Sequence, residues 1–421
     1  MFNEVVTRDA TWRSKSIFVL GLLTFAAGFG SFGAVASLGE VARAFGHVVH
    51  GTTVAEQMGL SGSVIGLGLG VLRFASLFGL PLAILADRWG RRTTLIWYTG
   101  IGLVCTVVAA ASPSYWIFVA IFALGRPMLT AAVSIAHVAG SELTNSEGRA
   151  GALALITGAY GIGAGIAALV HTALSGRNGF RFVFLMALLP LCLVLFLKNR
   201  VVEPARWHRP DHWNHAVLGH VDPAQRRRLI TVLTFTFGLS LVTGPANGYL
   251  FLYADNVVKA SSTTVAIMVV ASSMTGLGGL LLGRWGADRF GRKPVLALAM
   301  TALVAASLLV YAGPVAALVI GYVCSVAAAG ALAPPGTALS NELFPTEVRA
   351  SVAGWNIAAG VLGSIAGLLA FGVLVDRTAS FATAACITFI PTIAILGLLL
   401  TLPETRGKEP EELWVQPSTA A

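Results

Sequence analysis

The sequence predicts an all-α membrane protein of twelve transmembrane helices, arranged as two pseudo-symmetric halves of six. Three observations predict it. Hydrophobic residues make up 56% of the chain and charged ones 11%, with a mean hydropathy of +0.79; a soluble domain needs more charge than this to wet its surface. The apolar residues gather in twelve runs, each near the 20 or so residues that cross a bilayer. Two loop motifs also recur at offsets of 201 and 200 between the first and second halves of the chain.

The runs lie at 17–39, 60–86, 94–112, 115–140, 150–174 and 180–197, then at 229–253, 264–287, 294–312, 315–340, 351–375 and 380–402. A polar stretch of about thirty residues separates the sixth from the seventh. The expected organisation is therefore a first bundle (1–197), a linker (198–228), and a second bundle with a short tail (229–421). The polar start, MFNEVVTRDATWRSK, has no leader character, and the first apolar run continues as an ordinary span. The 47 glycines suit helices whose backbones approach closely. Cys105, Cys192, Cys324 and Cys386 all fall in apolar runs without metal-ligand spacing and read as small core residues.

Lys and Arg set the orientation. With both termini and the linker placed in the cytoplasm, 21 of them lie on that side and five (Arg43, Arg177, Arg181, Lys259, Arg377) on the other, as the positive-inside rule requires. A multi-pass protein of a bacterial inner membrane is expected. The net charge of +9 sits in short loops rather than in a basic stripe with aromatics, so nucleic acid is not an expected partner.

The repeat is specific. Asp87-Arg88-Trp89-Gly90-Arg91-Arg92 follows the second run and Asp288-Arg289-Phe290-Gly291-Arg292-Lys293 the eighth, at an offset of 201. Glu142 with Arg149 follows the fourth run and Glu342 with Arg349 the tenth, at an offset of 200. The chain reads as a parallel duplication, of the kind whose halves enclose a substrate site at mid-membrane.

The D-R-x-G-R-R segment resembles the signature of the major facilitator superfamily. Glu203-Pro204-Ala205-Arg206-Trp207, Glu342-Leu343-Phe344-Pro345-Thr346-Glu347-Val348-Arg349 and Pro403-Glu404-Thr405-Arg406-Gly407 are similar to motifs of its sugar-porter and metabolite–proton symporter branches. The resemblance implies the major facilitator fold, secondary transport by alternating access, and a monomer. There are departures. Ala83 and Arg284 stand where the signature carries Gly, and Gly161-Ile162-Gly163-Ala164-Gly165-Ile166 lacks the Gly-Pro pair of proton-coupled drug antiporters.

The loop charges read as an electrostatic latch. Asp87, Arg88, Arg91, Glu142 and Arg149, repeated as Asp288, Arg289, Arg292, Glu342 and Arg349, place carboxylates beside guanidiniums at helix ends, where bidentate pairs form. The bland alternative is that they are solvated topology signals.

Charges inside spans are costly, about 2.5–3.5 kcal/mol each on insertion scales, and mark functional positions. Arg73 and Arg126 lie near mid-depth, and no Asp or Glu lies mid-span. A carboxylate substrate would supply the missing counter-charge; backbone carbonyls or water are the alternative partners. Arg126 also matches an arginine that, in the acid transporters of the family, is associated with the substrate carboxylate. In the second half, Asn247, Tyr249, Trp355 and Asn356 are the candidate substrate contacts. Thr243-Gly244-Pro245 is expected to loosen the seventh span and turn backbone groups toward a cavity. Phe251 stands where the similar sugar-porter motif carries a tyrosine, which argues against an ordinary hexose.

A proton is the candidate coupling ion, carried by Glu40, His137 or the substrate's own carboxylate; the first span lacks the Asp of the acid-transporting branch. His208, His212, His215 and His220 lie in the linker without cysteine partners and read as linker residues rather than metal ligands. No catalytic constellation, cofactor or nucleotide-binding loop is expected. The leading reading is a carrier of a small organic anion. The others are a carrier of a neutral sugar or polyol and a transporter-like nutrient receptor.

Overall fold

The computed structural model describes residues 14–46, 59–144, 149–174, 179–203, 223–344 and 346–406, which are helical almost throughout. Among the described residues, twelve helices are long and apolar enough to cross a membrane. They are Lys15–Ala36, Gly62–Ala86, Arg91–Ala109, Tyr115–Leu143, Gly151–His171, Gly179–Leu197, Gln225–Val258, Thr263–Phe290, Arg292–Val310, Val315–Ser340, Val352–Thr378 and Phe381–Leu399, here the first to twelfth spans.

Short polar residues set where spans begin. Ser14, Ser114, Ser261 and Ser380 each accept the main-chain N–H three residues on, at 3.4, 3.4, 3.2 and 3.2 Å, which satisfies a donor that helix geometry leaves free. Gly90 (φ +92°) and Gly291 (φ +104°) end the second and eighth spans. Only glycine takes that backbone conformation without strain, so the next span starts at once with Arg91 or Arg292.

Two spans depart from the expected limits. The first ends at Ala36, and a separate short helix, Leu38–Phe45, carries Glu40 and Arg43. The seventh runs to Val258 rather than 253, breaking at Tyr249 and closing in a π-turn over Tyr253–Val258. Pro245 lies one turn before the break, but the bond its missing N–H removes is the one back to Leu241, on the other side. The Pro245 carbonyl does not face a cavity, contrary to expectation. It accepts the Tyr311 hydroxyl at 2.9 Å and the Tyr249 N–H at 3.1 Å.

By internal contacts the chain divides into two compact units, Met1–Val48 with Val71–Trp213, and Val49–Gly70 with Asn214–Ala421. The described residues 59–70, which lead into the second span, group with the second unit. There Asp376 receives the N–H groups of Gly62 (2.6 Å) and Ser63 (2.8 Å) at the start of the second span.

Both units use the same packing device. A Cβ on Gly163 would overlap the Phe25 carbonyl oxygen, and one on Gly363 would overlap that of Phe237. The first span thus lies against the fifth, and the seventh against the eleventh, at backbone contact. Lipid offers helices no hydrophobic drive to associate, so such close approach supplies the van der Waals energy instead. Aromatic clusters fill what remains: Phe118, Phe122, Phe180 and Phe184 in one unit, and Tyr249, Tyr253, Tyr311, Phe371, Phe381 and Phe389 in the other.

Candidate functional site

Arg126 follows Gly125 and precedes Pro127 in the fourth span. Its half-buried guanidinium donates from Nη1 to the Ser31 carbonyl of the first span at 2.8 Å. Arg73, on the second span, is also half-buried, and its electrostatic neighbours are Arg126 and Tyr160. Among the described residues neither guanidinium is paired with a carboxylate. Two cations in one neighbourhood raise the local potential, and a low-dielectric setting enlarges that effect. An anion entering there would relieve it.

The second unit holds a mostly apolar cavity of about 510 Å³ between the seventh, tenth, eleventh and twelfth spans. Its polar groups are Thr236, Thr337, Ser340 and Asn356. Asn356 accepts from Thr236 Oγ1 at 2.6 Å and donates to Ser340 Oγ at 3.5 Å. Asn247 is exposed, with its Nδ2 on the Thr243 carbonyl at 2.9 Å and Oδ1 left to accept.

Two of the expected contacts go elsewhere. Trp355 is exposed and does not line the cavity that Asn356 lines. Tyr249 is fully buried, and its hydroxyl donates to the carbonyls of Gly62 (2.7 Å) and Leu368 (3.3 Å). Its ring packs on Phe371, so Tyr249 is a packing residue rather than a substrate contact. Thr236 and Ser340 were missed, because a lone hydroxyl in a span reads as helix–helix bonding.

The loop charges assemble within each unit. Arg91 grips Glu142 with two bonds, from Nε at 3.1 Å and Nη2 at 2.9 Å. Arg292 reaches Glu342 from Nη2 at 3.1 Å and lies 3.7 Å from Asp288. Arg88 is exposed, and Arg289 lies over the Trp285 and Phe290 rings and joins no carboxylate among the described residues. The side chains of Asp87, Arg149 and Arg349 lie outside the described residues.

Each network has a member that the sequence reading did not include. Glu203 accepts the N–H groups of Arg91 (2.6 Å) and Arg92 (2.9 Å). Glu404 accepts those of Arg292 (2.8 Å) and Lys293 (3.1 Å). Burial pushes the Glu404 carboxyl up, but four main-chain N–H groups outweigh it and hold the carboxyl below its ordinary value of 4.5. The available signal was the offset of 201 between the two glutamates, each directly after the last span of its half.

A second acidic group lies apart from these. Glu40 and His171 face each other at 3.5 Å, 1% and 3% exposed. His171 was missed, since a lone histidine at the end of an apolar run carries no pattern. His137 is engaged on both sides, by the Val133 carbonyl at 2.8 Å and by Thr157 at 2.9 Å. Groups of three or more metal-ligating side chains are absent among the described residues; His208, His212, His215 and His220 lie outside them.

The family model described as Major Facilitator Superfamily matches residues 18–286 and 230–420. The chain is 26% identical over 390 residues to a gentisate transporter of Corynebacterium glutamicum, covering 86% of each chain. It is 25% identical over 375 residues to a putative niacin/nicotinamide transporter, NiaP, of Bacillus subtilis, covering 85% of this chain and 89% of that one. Among solved structures, the inward-open xylose transporter XylE of E. coli superposes with a TM-score of 0.70 at 19% identity, over 94% of this chain and 98% of that one. The nucleoside transporter NupG does so at 0.71 and 15%, over 92% and 99%.

Proposed function

Because this chain belongs to the major facilitator superfamily and is a multi-pass transporter of a small metabolite rather than an enzyme, we propose that its substrate is an organic anion, a carboxylate, held by Arg126 and Arg73 and carried by alternating access. The observation that carries this reading is two neighbouring guanidiniums inside the spans, neither paired with a carboxylate among the described residues. A carboxylate would take the donors that Arg126 does not spend on Ser31. The similarity to a gentisate transporter supports the class, since gentisate is an aromatic carboxylate.

Coupling to protons belongs to the same proposal. Glu40 and His171 form a buried acid–base pair on the opposite side from the basic loops. The pair would take up a proton there, and the first span, whose Ser31 carbonyl holds Arg126, would pass the change inward. The orientation proposed is the one the loop charges set, with both termini cytoplasmic. The Arg–Glu pairs then lie on the cytoplasmic side and brace it in each half.

A second reading, transport of a neutral sugar or polyol, is favoured by the cavity at Asn356, Thr236 and Ser340. Thermal stabilisation of purified protein by a metabolite panel separates the two. Carboxylates should stabilise wild type and lose that effect in Arg126→Ala. Stabilisation by neutral sugars alone, or by carboxylates equally in both proteins, would overturn the anion reading and move the site to Asn356.

A further inference from the structure

A groove of about 560 Å³ runs along the outside of the first unit between the third and sixth spans. Its floor and walls are apolar: Ile96, Trp97, Ile101, Val104, Leu191 and Leu195. Gly100 lies in it, and a Cβ there would meet nothing within 4 Å, so its lack of a side chain deepens the groove. One end is closed by two cations, Arg92 and Lys198. The Arg92 guanidinium crosses from the third span to the Lys198 carbonyl at 3.3 Å, which holds it over the groove mouth. Arg200 stands close in sequence, over the Phe196 ring at 4.7 Å. Among the described residues no carboxylate lines the groove.

The other half lacks this arrangement although it repeats the scaffold. Lys293 stands 201 residues after Arg92, but it spends its ammonium on the Leu402 carbonyl at 2.6 Å. The positions 201 after Lys198 and Arg200 are Leu399 and Thr401. Lys198 and Arg200 are therefore outside the duplicated frame, and the counterpart of Arg92 is engaged elsewhere.

We infer that this groove is a binding site for a phospholipid with an anionic headgroup, its acyl chain lying along Trp97, Ile101 and Val104 and its phosphate on Arg92 and Lys198. A free anion would gain nothing from the apolar walls, and a neutral lipid nothing from the paired cations. Trp97 is 63% exposed and stands five residues beyond Arg92, about 8 Å along a helix. That depth suits an indole at the membrane interface. Basic pockets between spans select anionic lipids in this way, with each cation contributing about fivefold.

The test uses the purified full chain in neutral detergent, with phosphatidylglycerol, phosphatidylcholine and glycerol 3-phosphate as probes. Native mass spectrometry should show phosphatidylglycerol retained in preference to phosphatidylcholine, with no retention of glycerol 3-phosphate. R92Q/K198Q should reduce that preference tenfold or more, and K293Q, the matched change in the other half, should leave it intact. Equal retention of both lipids, undiminished preference in R92Q/K198Q, or equal retention of glycerol 3-phosphate would overturn the site. Phosphatidylglycerol with brominated chains gives a readout that needs no charge variant. It should quench a fraction of the emission that disappears in Trp97→Phe. Quenching unchanged by that substitution would place the lipid elsewhere.

Discussion

Glu203 and Glu404 do the same work 201 residues apart: each receives the two main-chain N–H groups that open the third span of its half. Each also lies against the glycine that turns the chain into that span. A Cβ on Gly90 or Gly291 would come within 3.1 or 3.0 Å of the carboxylate. Removing either carboxylate leaves two helix-end donors without a partner. Glu203→Ala and Glu404→Ala should each cost about 1–2 kcal/mol, read as a lowered unfolding temperature in detergent. The two losses should add, since the sites share no partner.

Acid should act through the same group. The Glu404 carboxyl is held below 4.5 by main-chain N–H groups. A depressed carboxylate lends stability that is fully present above its unfolded value and is lost as pH falls through its folded value. As pH falls below the ordinary carboxyl value of 4.5, the wild type should therefore lose more thermal stability than Glu404→Gln, which has no proton to take up at that position. Parallel acid profiles would refute this.

Arg126→Ala should weaken carboxylate binding by about 10- to 100-fold, the range of a charge-assisted hydrogen bond. Arg126→Lys keeps the charge but not the planar fork, and should recover only part of it. Tyr249→Phe provides the contrast. Its hydroxyl is spent on Gly62 and Leu368, so the unfolding temperature should fall while carboxylate affinity holds. Equilibrium binding and thermal unfolding with all three variants check both statements.

Glu40→Gln removes the acid from the pair with His171. Uptake into vesicles should then lose its response to an imposed pH gradient, while exchange of labelled for unlabelled substrate continues. A variant still driven by the gradient would take coupling away from this pair.

Asp87→Asn is expected to abolish uptake while the protein still inserts, because Asp87 and Asp288 begin the duplicated loops. Transport assays beside a surface-accessibility control would decide this.

The twelve spans were legible because the bilayer demands length and apolarity, and both are written in consecutive residues. The Arg91–Glu142 and Arg292–Glu342 pairs were legible because duplication wrote them twice. What could not be read was where side chains point. Tyr249 and Asn247 are neighbours in one polar segment, yet one is buried on the Gly62 carbonyl and the other is exposed. The break at Tyr249 decides this, and no periodicity records it. Glu203 and Glu404 were visible, each inside a different motif, but their shared task depends on spans folding back beside residues about 110 positions earlier. His171 had no pattern at all until Glu40 was placed beside it.

The position of the closing carboxylates has a consequence for synthesis. Arg91 and Glu142 emerge from the ribosome long before Glu203, and Arg292 and Glu342 long before Glu404. The third span of each half therefore enters the bilayer with its leading amides unfastened, and is secured only when the sixth span has followed. Each half carries its clasp after its sixth span, so the third span of the first half can be fastened while the second half is still being translated, whereas the start of the second span waits for Tyr249 and Asp376.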